Sequence, residues 1–122
     1  MLKVHAQKLG DVTILHLQGR IVNTGETKVL QDAVSSASGF GAVVMNFARV
    51  TGIDAGGLGV LLQLREQLQA SGVEFRLMNV TLLVHQVLEI TRLNSVFEVI
   101  AEADVVSLRS RPQVEVVAEA VT

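Results

Sequence analysis

The chain has 122 residues and a net charge of -2, and 49% of it is hydrophobic, which suits one domain with a single core. Aromatics are limited to four Phe, and Lys and Arg form no run along the chain, which argues against nucleic acid and against an acidic membrane surface as partners. With no cysteine, the chain has no disulfide, no thiolate metal site and no cysteine nucleophile.

Residues Leu2–Leu9 and Val12–Leu17 read as two strands of an antiparallel hairpin turned at Gly10-Asp11. Gly19-Arg20-Ile21-Val22 leads away from it. Asn23 is a candidate helix N-cap, with Glu26 three positions on to complete a capping box. The helix that follows carries Val29, Leu30, Ala33, Val34 and Ala37 at spacings of three and four. Ala42–Phe47 opens on an unbroken apolar run, the composition of a strand buried on both faces of a parallel sheet. A second helix starts after Asp54 and stops at Ser71-Gly72. Val73–Asn79 alternates charged and apolar residues, as expected of a strand nearer the sheet edge. Thr81 to Leu93 is a third helix, with Val84, Val87, Leu88 and Thr91 in register. A short strand over Val96–Ile100 and a short fourth helix over Glu102–Arg109 complete the pattern, with Pro112 just beyond. Gln113–Thr122 fits either helix or strand spacing, and reads as a mobile tail or as a cover for apolar surface. The organisation is thus one domain over residues 1–109 and a tail over residues 110–122.

The centre of the chain is Val50-Thr51-Gly52-Ile53-Asp54-Ala55-Gly56-Gly57-Leu58-Gly59. Asp54 is a good N-cap, yet three glycines follow it within the first turns of a helix, where each is disfavoured by about 0.5–1 kcal/mol relative to alanine. Either a tight strand-to-helix turn needs them for steric reasons, or a partner backbone or an anion approaches the free amides. The dinucleotide fingerprint is not met, because no third glycine follows Gly57-Leu58-Gly59 at the required spacing. No phosphate-binding lysine follows the turn either.

This stretch resembles the signature of STAS domains, the fold shared by anti-sigma factor antagonists and the cytoplasmic ends of sulfate transporters. The family pattern is an apolar strand, Asp-Leu-Ser, a few residues, and Asp-Ser-Ser-Gly-Leu-Gly opening a helix. The matching residues here are Met45, Asn46, Phe47 and Ala48, then Asp54, Ala55, Gly56, Gly57, Leu58 and Gly59. Gly19-Arg20-Ile21 and Glu89–Leu93 extend the likeness, which covers residues 1–109. The resemblance implies an α/β domain of the STAS fold: a mixed, mostly parallel sheet of about five strands with four helices packed against it. It also implies a partner-binding surface at Asn23, Thr24, Asp54, Ala55, Gly56, Gly57 and Leu58, in loops at the carboxyl ends of strands, Arg20–Thr24 and Ala48–Gly57. In sigma-regulating members the second serine of the motif is phosphorylated. Gly56 stands at that position and cannot be, while Thr51 and Thr24 are loop hydroxyls that either serve as replacement acceptors or are plain turn residues.

No enzyme chemistry is legible. His5, His16 and His85 show no metal-ligand spacing, and Ser35, Ser36 and Ser38 have no base placed by a motif. No cofactor or metal is expected. Met1–His5 lacks the apolar core of a signal peptide, and no apolar run approaches the roughly 20 residues of a membrane span, so the expected compartment is the cytoplasm. The leading expectation is a non-enzymatic regulatory module that binds an anti-sigma factor or a related serine kinase-like protein. The alternative is a cytoplasmic STAS subunit of a lipid or anion transporter, whose partner is a transporter ATPase.

Overall fold

A computed structural model describes residues 2–22, 27–36, 41–105 and 108. Five strands, β1 (Leu2–Leu9), β2 (Val12–Ile21), β3 (Ala42–Ile53), β4 (Glu74–Met78) and β5 (Val99–Ile100), lie side by side in chain order. β1 is antiparallel to β2, and every other neighbouring pair is parallel. The hairpin closes through Gly10, whose φ of 62° lies in the left-handed region that a tight two-residue turn requires. Helices α1 (Thr27–Ser36), α2 (Ala55–Ala70) and α3 (Leu82–Ile90) connect the later strands.

The alternation of side chains along each strand divides the sheet into two unequal faces. Leu15, Leu17, Val43, Met45, Phe47, Phe75 and Leu77 join Leu30 and Val34 of α1, Leu61, Leu64 and Leu68 of α2, and Val84 and Leu88 of α3 in the main core. All three helices therefore cover one face. On the other face, Val12, Ile14, Ala42, Val44 and Met78 form a smaller apolar cluster with Val105 and Leu108. That cluster occupies the amino-terminal half of β2 and β3. Further along the same face β2 carries the polar residues His16, Gln18 and Arg20.

Several expectations are corrected. Among the described residues three α-helices have complete bounds; of the segment read as a fourth, Glu102–Asp104 forms a 3-10 turn, and Val105 and Leu108 are helical. The last strand is shortened to Val99–Ile100; β4, expected nearer the sheet edge, is indeed the penultimate strand beside it. Val29 is 45% exposed, because α1 seats itself on Leu30 and Val34. β2 runs on through Arg20 and Ile21 instead of ending at Leu17, and β3 runs to Ile53. Ala48–Ile53 is therefore strand, not loop. Two register shifts against β2 let this long strand continue: Gln18 pairs with Arg49 and Arg20 with Gly52, each shift adding one residue to β3. The first extra residue returns Val50 to the core face after Phe47. The Asn23 and Thr24 readings, the Asn23–Glu26 capping box and the tail over residues 110–122 lie outside the described residues.

Candidate functional site

The turn from β3 into α2 is built by backbone contacts with the end of β2. The Asp54 amide donates to the Ile21 carbonyl at 3.3 Å. Asp54 is extended (φ -111°, ψ -179°), and its Oδ1 accepts from the Gly57 amide at 2.7 Å, while its carbonyl accepts from the Leu58 amide at 2.9 Å. Asp54 is thus the N-cap of α2, and it satisfies a donor that the helix itself leaves unpaired.

The glycines in this turn have separate reasons. A Cβ on Gly57 would lie 1.9 Å from the Ile21 carbonyl oxygen, so only glycine lets the first turn of α2 approach the end of β2 this closely. Gly59 is exposed, and a Cβ there meets nothing within 4 Å. Gly56 is half-exposed, beside exposed Ala55 and Asp54. The amides of Ala55 and Gly56 belong to the first turn, which has no intrahelical acceptors for them. Gly57 and Leu58 are buried, Leu58 at 4% exposure within the main core, so they shape the turn from below and do not face solvent. Thr51 is exposed on β3. The surface gathered here is therefore Asp54, Ala55 and Gly56, with the α2 helix behind it.

A second polar arrangement, which the sequence pattern did not reveal, crosses the open half of the sheet. His16 Nδ1 accepts from the Asn46 side-chain amide at 2.9 Å, and His16 Nε2 donates to Gln7 Oε1 at 2.8 Å. Asn46 Oδ1 in turn accepts from the Ala48 amide at 3.0 Å and from Asn79 Nδ2 at 3.1 Å. These two donors fix the orientation of the Asn46 amide, and that orientation fixes the neutral Nε2–H tautomer of His16. Burial, then the neighbouring His5, lower the His16 pKa below its usual value, against an opposing pull from Glu102. His5 stacks on His16 with ring centroids 6.1 Å apart. Histidines that are far apart in sequence meet because β1 pairs His5 with His16. The Ala48 contact spans the first bulge of β3, so Asn46 also braces the backbone irregularity.

No group of three or more His, Cys, Asp or Glu able to hold a metal occurs among the described residues. No described helix is long and apolar enough to cross a membrane.

A mixed five-stranded sheet with its helices on one face, and an Asp-capped glycine turn opening the central helix, define the class to which this chain is assigned. The chain belongs to the STAS domain family, whose model matches residues 3–105. Among solved structures it is similar to the anti-sigma factor antagonist SpoIIAA in its unphosphorylated form, at 17% identity and a TM-score of 0.71 over 91% of this chain and 96% of that one. The phosphorylated form of SpoIIAA, a Bacillus cell fate determinant, is also similar, at 16% identity and a TM-score of 0.65 over 86% of this chain and 97% of that one. At these identities the likeness is one of fold. A structure of the protein Mglu is 35% identical, with a TM-score of 0.55, over 60% of this chain. The matched region spans only 18% of Mglu. No curated protein matches the chain significantly.

Proposed function

We propose that this chain is a non-enzymatic regulatory module that acts as an anti-sigma factor antagonist. It binds an anti-sigma factor or a related serine kinase-like protein through the turn at Asp54, Ala55 and Gly56 and the α2 helix behind it. The observation that supports this is the preformed turn: Asp54 caps α2, Gly57 locks the helix start onto Ile21, and Ala55 and Gly56 are left at the surface. At the position where sigma-regulating relatives carry the phosphorylated serine stands Gly56, which has no hydroxyl. Phosphorylation would add about -1.5 to -2 charges beside Asp54 and repel a partner shaped for the uncharged turn. Glycine adds neither charge nor bulk, so the module is held in its binding-competent state.

The test is a tagged pull-down from the native cell, split into soluble and membrane fractions, followed by affinity measurement with Gly56→Asp. Recovery of a kinase-like or sigma-binding protein, and weaker binding by the variant, are expected. Recovery of a transporter ATPase would overturn the regulatory reading, and an unchanged affinity for Gly56→Asp would overturn the docking role of the turn.

A further inference from the structure

The open half of the sheet, beyond the cluster of Val12, Ile14 and Val44, carries a basic stripe. The strand register sets it out row by row. His5 pairs with His16, Lys3 with Gln18, Gln18 with Arg49, and Arg20 with Gly52. The side-chain alternation of β1 and β2 puts Lys3, His5, Gln18 and Arg20 on the face opposite the helices. Gly52 leaves room for Arg20, whose Nε would lie 3.6 Å from a Cβ at that position. Lys3, His5, Gln18, Arg20 and Arg49 are all exposed. Among the described residues, Lys3, Arg20 and Arg49 make no ion pair. A groove of about 680 Å³ runs over this region, and none of its lining residues is acidic. His16 and Asn46 line it, and their side chains are hydrogen-bonded to each other, to Gln7 and to Asn79. The lining residues Lys3, His5, Gln18 and Arg49 are exposed donors, on a chain whose overall charge is negative, and a nearby acidic group is Glu102, which acts on His16.

We infer that this groove, with the adjoining Arg20, is a docking site for a short acidic peptide segment of a protein partner, whose carboxylates are held by Lys3, Arg20 and Arg49. The inference is independent of the role given to the Asp54 turn. Carboxylates are pure acceptors and match a rim of donors. The Lys3–Gln18–Arg49 row crosses two strand spacings, ~10 Å, so its charges suit several carboxylates along a chain better than one small ion. Nucleic acid fits less well, because the described phenylalanines, Phe47, Phe75 and Phe97, are buried and give bases nothing to stack on. An anionic membrane also fits less well. The exposed apolar residues Leu82, Leu83 and Ile90 sit on α3, on the opposite side of the sheet from the cations.

The test is an NMR titration of the full chain with hexaglutamate, with inorganic phosphate and oligothymidylate as competing probes. Hexaglutamate is expected to shift the amides of Lys3, His5, Gln18, Arg20 and Arg49 saturably, and added salt should weaken the binding. Lys3→Gln combined with Arg49→Gln should raise the Kd about five- to tenfold. Lys28→Gln combined with Arg92→Gln, two exposed cations on the helical side, should leave it unchanged. Absence of saturable shifts in the wild-type chain, or a Kd unmoved by the groove substitutions, would overturn the site. Tighter binding of phosphate or oligothymidylate at the same amides would overturn its assignment to an acidic peptide.

Discussion

Gly57 lies against the backbone of Ile21 so closely that a Cβ would stand 1.9 Å from the Ile21 carbonyl oxygen and 2.8 Å from its carbonyl carbon. The obstacle is backbone, which cannot swing aside as a side-chain tip can. Gly57→Ala should therefore destabilise the fold by about 3 kcal/mol or more. Gly59→Ala, two residues along the same helix and in open space, should stabilise it by about 0.5–1 kcal/mol through lower backbone entropy of the unfolded chain. Chemical denaturation of the two variants checks both signs, and similar losses for both would refute the steric account.

The Asp54 carboxylate holds the amide of Gly57 at 2.7 Å. Asp54→Ala removes this cap and should lower stability by about 1 kcal/mol, whereas Asp54→Asn, which keeps an accepting oxygen, should retain most of it. Equal losses in urea melts would show that the cap is not what Asp54 contributes.

Thr13 is 1% exposed, and among the described residues its hydroxyl finds no hydrogen-bond partner. A buried, unpaired hydroxyl is destabilising, and valine keeps the shape without it. Thr13→Val is expected to raise stability by about 1 kcal/mol, read as a higher denaturant midpoint at constant slope.

The His16 pKa is lowered in the fold, by burial first and by His5 second. Between the ordinary histidine value of 6.5 and the lowered folded value, the unfolded chain binds more protons than the native one. The stability contributed by neutral His16 is thus fully present above pH 6.5 and is lost as pH falls through the folded pKa. Protonation also places a proton on Nδ1, facing the donating amide of Asn46. Melts at pH about 7.5 and about 5.5 should show a loss in the wild type that is smaller in His16→Gln. An equal loss in both would assign the pH dependence to other groups.

Much of the frame was legible in local pattern. The Gly10-Asp11 turn, the Asp54 cap and the Ser71 end of α2 are short-range features, and each is written in neighbouring residues. The extent of β2 and β3 was not. Arg20, Thr51 and Gly52 look like loop residues by composition, and only pairing across the sheet, with its two register shifts, extends them as strand. The start of the last segment was not legible either: Glu102–Asp104 is a 3-10 turn, while Val105 and Leu108 beyond it pack onto the sheet.

By itself the sequence determined the α/β alternation, the position of the signature turn and the absence of a hydroxyl at Gly56, because these depend on residue identity and nearest neighbours. Only the tertiary structure decided which glycine is sterically required. It also brought Lys3, His5, Arg20 and Arg49, dispersed along the chain, onto one face of the sheet. Register and face are set by which strands pair and which side the helices cover, and both are long-range choices of the core that no local stretch of sequence contains.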